Sequence, residues 1–274
     1  MEDKTGKIMR LRGVILLVST IAVTCIGHAV TATPGPAIVY TMKTVERHDP
    51  SCPRGPSDCP VYISFRYPLI VRAPNPAVAT AITQAINDFL LTGVGDSRKF
   101  SSIAAEMDTF MRDYEEYRKS SLGIGYSEDR DVSVVYQANG IFSLDFDLAW
   151  FFGTAHPDYA RTFANFDVRT GGQIKLADVL VAAYQPRLTQ IAETQFRKDK
   201  GLNPTDSLKE AGYEFPNDTF ALNDNFSIGA RGITFFYNTY EIASYTDGPT
   251  ELLLTYREIK DLLKPDGPLG RIGE

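Results

Sequence analysis

Three histidines, a pair of aspartates on one predicted strand and three cysteines are the residues whose types and spacing bear first on chemistry. His156, in Gly153-Thr154-Ala155-His156-Pro157, reads in two ways. It is a polar contact or acid/base group at the mouth of a hairpin, or a histidine that locks a turn by bonding backbone, and the second is the expectation. His48, in Arg47-His48-Asp49-Pro50, reads as an exposed loop residue, and His28 falls in the amino-terminal segment discussed below. No H-x-x-x-H or H-E-x-x-H spacing occurs, so no metal site is expected. Asp145 and Asp147 share one face of a strand about 7 Å apart, which loosely invites a glycosidase reading. Such enzymes need carboxylates that face each other across a substrate, so a solvated sheet face is the expectation. The sequence contains no nucleophile elbow, phosphate loop or dinucleotide turn, and no particular serine stands out.

The cysteines depend on where the chain is cut. Lys4, Lys7, Arg10 and Arg12 precede the 13-residue apolar run Val14 to Ile26, with small residues at Ala29 and Ala32, the pattern of a secretory signal. Residues 1–29 are therefore expected to be a signal peptide, cut after residue 29 or 32. Lipidation at Cys25 and an uncleaved anchor are the alternatives, and Met9 competes with Met1 as the start. The run is short for a bilayer, so no stable membrane span is expected after cleavage. Cleavage removes Cys25 and leaves Cys52 and Cys59, an even pair in an oxidising compartment, expected to form a disulfide that pins the loop before the first long strand.

The elements that must position these residues follow from periodicity. Ala37 to Thr44 and Val61 to Val71 read as strands flanking the cysteine loop. Asn75-Pro76 starts a helix with Val78, Ile82, Ile86 and Phe89 on one stripe, and Ser101 or Ser102 opens a second helix. Strands Val132 to Tyr136 and Ile141 to Phe152 flank an Asn139-Gly140 turn. In the latter, Phe142, Leu144, Phe146, Leu148, Trp150 and Phe152 are expected in the core. Thr162 to Val168 is a further strand, followed by a helix from about Leu176 to Lys200 capped by Gly201. Polar loops run from Asn203 to Asn225 and hold the glycosylation-like Asn217-Asp218-Thr219 and Asn225-Phe226-Ser227, read as turns. Strands at Ile233 to Tyr237 and Glu251 to Thr255 and a closing helix at Ile259 to Leu263 complete the pattern. Strands and helices cluster without βαβ alternation, which predicts an α+β fold of antiparallel sheets with packed helices. The boundaries expected are 30–60 for the segment with the cysteine loop, 61–152 and 153–265 for two halves, and 266–274 for a tail.

Aromatic residues at strand ends supply the remaining lead. Phe151, Tyr159, Tyr240 and Tyr245 are candidates for a binding surface, because tyrosine gives a large contact area at low entropic cost. His156 and Glu241 lie close to them in the pattern and complete the candidate set. The chain has 274 residues, 43% hydrophobic and 23% charged, with a formal charge of −6, falling to −8 once four basic and two acidic signal residues are gone. That balance excludes a nucleic-acid footprint and suits an exported globular domain.

Gly153-Thr154-Ala155-His156-Pro157, Asn165-Phe166-Asp167-x-x-Thr170-Gly171, Leu176-Ala177-Asp178-Val179-Leu180 and Phe235-Phe236-Tyr237-Asn238-x-Tyr240-Glu241-Ile242 to Gly248-Pro249-Thr250 form an ordered series. Together they resemble a bacterial envelope domain family of unknown function. It is shared by the lysozyme-responsive anti-sigma factor RsiV, the deacetylase PdaC ahead of its catalytic domain, and a secreted mycobacterial immunogenic protein whose cysteine pair this chain also resembles. The resemblance covers about Val61 to Leu263. It implies an α+β fold, a secreted or periplasmic location and no activity of the domain's own. The expectation is therefore a non-catalytic binding module, without cofactor, whose partner is a lysozyme or a peptidoglycan or other glycan component. The competing expectations are a glycan hydrolase using Asp145, Asp147 or Glu241 with His156, and a structural or host-interaction protein.

Overall fold

A computed structural model describes residues 37–50, 52, 59–120 and 125–270. The apolar run of the expected signal and the tip of the cysteine loop lie outside them. A five-stranded sheet runs β1-β2-β3-β4-β5, built from Val39–His48, Val61–Arg72, Tyr126–Ala138, Ile141–Phe152 and Asp158–Asp167. Helices α1 (Pro76–Leu90) and α2 (Ile103–Ser120) connect β2 to β3, and that crossover makes β2 and β3 the one parallel pair among otherwise antiparallel neighbours. A second sheet, β6-β7-β8, comprises Phe226–Ile228, Gly232–Tyr237 and Thr250–Thr255. A short helix α3 (Leu176–Val179) and the longer α4 (Gln185–Lys200) precede it. The architecture is α+β.

Local chemistry explains the elements. Asn75 caps α1 by accepting from the Val78 N–H at 3.1 Å, with Pro76 in the first turn, and Ser102 does the same for Ala105. Asn139 and Gly140 take φ of 53° and 78°, the left-handed pair that a two-residue hairpin requires, and so set the β3–β4 register. Gly201 closes α4 at φ 69°. One core holds Val61, Ile63, Phe65, Val78, Ile82, Phe110, Phe142 and Leu144 between the large sheet and helices α1 and α2. The other gathers Leu188, Phe196, Phe215, Phe235, Leu252 and Leu254 around the small sheet and α4.

Several expectations need correction. β3 begins at Tyr126, six residues before the predicted Val132, because charged residues occupy its inward positions: Glu128 and Arg130 are buried at 4% and 2% exposure. Arg130 donates to Glu128 at 2.6 Å and to Glu106 of α2 at 2.5 Å, and its guanidinium lies over Phe65 and Phe89. Burial pushes the Glu106 carboxyl up to about 8, against the pull of Arg130, and its Oε2 has no hydrogen-bond partner. A single guanidinium between two carboxylates thus leaves one of them holding a proton. Asp145 is also not solvated. It is buried and gripped by Arg161, which donates to both its oxygens from Nε at 3.0 and 2.9 Å.

Leu148, Trp150 and Phe152, expected in the core, are half-buried. His48 ends β1 half-buried and its Nδ1 has no hydrogen-bond partner, so it is not an exposed loop residue. The expected helix from Leu176 breaks into α3 and α4, since Leu180 leaves the helix to bridge Leu263. The closing helix is a single 3-10 turn at Lys260–Leu262, and Phe226–Ile228, whose first two residues are expected in a turn, is a strand.

Candidate functional site

Strand pairing fixes which side chains share the sheet face opposite the helices. Opposed residues Ser64, Asp129, Ala149 and Tyr159 form one row across β2 to β5, and Arg66, Asp131, Asp147 and Arg161 form the next. Tyr62 and Phe151 lie one step beyond. Tyr62 donates to Asp129 at 2.7 Å and Arg66 to Asp131 at 2.6 Å. Desolvation raises the Asp129 carboxyl despite the Tyr62 bond. Desolvation and the charges of Asp145 and Asp131 raise that of Asp147, with Arg161 opposing.

At the β5 end of this face two loops meet. The β4–β5 connection turns at Gly153, with φ 71°, and carries His156; the β7–β8 connection carries Tyr240 and Tyr245. His156 stacks on Tyr245 with centroids 3.9 Å apart, and Tyr245 lies 5.8 Å from Tyr240. His156 Nδ1 is 3.0 Å from the Pro157 carbonyl, its Nε2 is 3.4 Å from the Tyr240 hydroxyl, and Asp158 lies 3.6 Å from Nδ1. Tyr245 donates to the same Pro157 carbonyl at 3.0 Å. Burial, then the neighbouring Tyr159, Asp158 and Tyr240, raise the Tyr245 hydroxyl. His156 therefore bonds backbone in its turn, the second reading of its motif, and also belongs to an aromatic cluster.

Tyr240 carries the unusual backbone. Its φ is 67°, a left-handed conformation that costs a non-glycine residue roughly 1–2 kcal/mol, and its side chain stays 62% exposed. The Asn238–Glu241 turn imposes this: Glu241 N–H donates to the Asn238 carbonyl at 3.0 Å, while the Glu241 carboxylate accepts from Asn238 N–H at 2.8 Å and from Asn223 at 2.6 Å. Glu241 is thus spent on the turn and does not join the aromatic cluster. Tyr159, 52% exposed, stands on the adjoining face, and Phe151 is half-buried on that same face.

Asparagines hold the two loops together. Among the described residues the outer edge of β5 is paired only by a short bridge from Phe166 to Gln173; farther along, the Asn238 side chain accepts from Arg161 N–H at 2.7 Å and donates to its carbonyl at 3.1 Å. Asn225 accepts from Phe163 N–H and donates to the Arg161 carbonyl, and Asn165 brackets β6 through Ile228 N–H and the Phe226 carbonyl. Side-chain amides thus mimic a ladder and protect an edge. Gly171, φ 79°, brings its turn against α1, where a Cβ would lie 2.9 Å from the Ala77 carbonyl. Asn165, Gly171 and Asn238, which stood out in the sequence series, are therefore scaffold.

Sequence reasoning missed Asp129 and Asp131, because the first half of their strand was not recognised, and Tyr62, because the β2–β3 pairing that brings it to Asp129 was not; the charged run Glu128 to Asp131 was the available signal. Cys52 and Cys59 are disulfide-linked. Among the described residues no three His, Cys, Asp or Glu side chains converge to hold a metal, and no helix is long and apolar enough to cross a membrane.

The α+β architecture has known counterparts. Residues 177–257 match the family model described as a protein of unknown function, DUF3298. Part of the chain is similar to the peptidoglycan-N-acetylmuramic acid deacetylase PdaC of Bacillus subtilis, 24% identical over 136 residues. That stretch is 49% of this chain and only 28% of the deacetylase. Among solved structures, a DUF3298 member from Bacteroides fragilis aligns with a TM-score of 0.64 at 20% identity, covering 88% of this chain and 98% of its own. A DUF3298 protein from Pseudomonas aeruginosa aligns at 0.60 and 20%, covering 83% and 95%. These two likenesses show the fold.

Proposed function

We propose that this chain is an extracytoplasmic binding module that recognises a basic envelope-associated protein such as a lysozyme, without covalent chemistry. The observation that carries the reading is the cluster of His156, Tyr240 and Tyr245, with an exposed Tyr240 held in a left-handed backbone. Glycine or asparagine would relieve that backbone, so an exposed tyrosine there supports a role in contact. Exposed tyrosine beside Asp147 and Asp158 offers rigid contact area with negative charge, the complement of a basic partner, and the chain's charge of −6 steers in the same sense. The disulfide and the amino-terminal signal pattern support an oxidising compartment. The likeness to part of a peptidoglycan deacetylase supports the cell envelope as the setting.

The test is a pull-down of the purified protein against a panel of lysozymes and insoluble peptidoglycan, at low and physiological salt. Saturable, salt-weakened retention of a lysozyme that Tyr240→Ala abolishes is the expected result. Retention by peptidoglycan alone would move the reading to a wall-binding module, and retention by neither would overturn it. A second reading, glycan hydrolysis, draws on the raised carboxyls of Asp129 and Asp147. Release of soluble fragments from peptidoglycan, lost in Asp147→Asn, would establish it.

A further inference from the structure

On the opposite side of β4 from this face, Phe89, Leu148, Trp150 and Phe152 wall a pocket of about 620 Å³, closed at one rim by the backbone of Gly93 to Gly95. Its size falls in the range of small-molecule sites. The half-burial of Trp150 and Phe152, large rings on the core-facing side of a strand, is explained by it: they line a recess instead of filling one. Two polar groups converge there. Arg130 lines the pocket with its Nε, Nη1 and Nη2 already donating to Glu128, the Phe89 carbonyl and Glu106, which leaves one further N–H on each terminal nitrogen. Asp88, exposed at the end of α1, supplies a carboxylate acceptor.

We propose that this pocket binds an acetamido sugar, with the apolar face of the ring on Trp150, the acetamido carbonyl accepting from Arg130 and ring hydroxyls donating to Asp88. One face of a pyranose chair presents C–H bonds to the planar indole, so stacking buries that C–H surface while hydroxyls stay at the polar rim. A neutral carbonyl suits Arg130 better than an anion does, because the ionised carboxylate of the Glu106–Glu128 pair already balances its charge. The site is separate from the tyrosine–histidine cluster, so either assignment can fail alone.

Trp150 is the only tryptophan in the chain, so its emission reports on the pocket directly. The full chain is titrated with N,N′-diacetylchitobiose and, as a neutral control lacking the acetamido groups, with cellobiose. A saturable change in emission with the acetylated disaccharide, about tenfold weaker for cellobiose and about tenfold weaker in Asp88→Asn, is expected from the loss of one hydrogen bond to a charged group. Asp88 is exposed, so its substitution leaves the fold intact, which the thermal midpoint checks. No change in emission at millimolar disaccharide, an equal response to cellobiose, or an unaltered Asp88→Asn titration would each overturn the assignment.

Discussion

Glu106→Gln is expected to change the pH dependence of stability more than any other single substitution. Glu106 is 3% exposed, its carboxyl stands at about 8 in the folded chain against 4.5 for a free glutamate, and Oε2 has no partner. Between those two values the folded state holds a proton that the unfolded state has released. Stability therefore falls as pH rises, fully favourable below the unfolded value and lost on approaching the folded one. For a single group, the drop from pH 5 to pH 8 is about 3.5 kcal/mol, an upper figure because Glu128 competes for the same proton. Glutamine reproduces the neutral acid, so the variant should match the wild type near pH 5 and exceed it at pH 8. For a domain of this size the gain corresponds to roughly 7–14 °C in thermal midpoint. Calorimetric melts of both proteins between pH 5 and 8 make the comparison. Parallel curves for the two would refute the reasoning.

Other outcomes follow from the contacts. Asn165→Ala removes both bonds that bracket β6 and leaves the Ile228 N–H and Phe226 carbonyl buried, at a cost of about 2–4 kcal/mol measured by denaturant unfolding. Asp145→Asn leaves the Arg161 guanidinium short of its counter-charge and should cost about 2 kcal/mol by the same assay, with the effect reduced because Arg161 is 33% exposed. Replacing Cys52 and Cys59 by serine reopens a loop with a sequence separation of 7 and should lower stability by about 2 kcal/mol, read as a fall in thermal midpoint that reductant reproduces in the parent. Tyr240→Gly removes the left-handed strain, so it should hold or raise stability, by up to about 1 kcal/mol in denaturant unfolding, while losing partner binding.

Much of the architecture was legible because hydrophobic periodicity and turn chemistry agree. Asn75-Pro76, Asn139-Gly140 and Gly201 mark their boundaries where the backbone needs them. What escaped is where polar groups do the work of apolar ones. Glu128 and Arg130 occupy core positions of β3, so the strand's first half carried no hydrophobic alternation, and the parallel β2–β3 pairing went with it. Asp145 read as solvated because its counter-ion, Arg161, sits on another strand, and diagonal pairing is invisible without the register. Of the six candidate binding residues, His156, Tyr240 and Tyr245 meet directly, Tyr159 and Phe151 share the adjoining face, and Glu241 serves the turn. The asparagine staples lie 61 to 77 residues apart in sequence, a separation at which local patterns hold no information.

The most direct test of the binding face is a calorimetric titration of the purified protein with a basic lysozyme, comparing the parent with Tyr240→Gly and with Lys198→Ala on α4 as a remote control. The account predicts saturable binding by the parent and the control. It predicts at least a tenfold loss in Tyr240→Gly without loss of thermal stability, the mark of a contact residue at an interface centre. Equal affinity in all three proteins, or no binding by the parent at low salt, would contradict it.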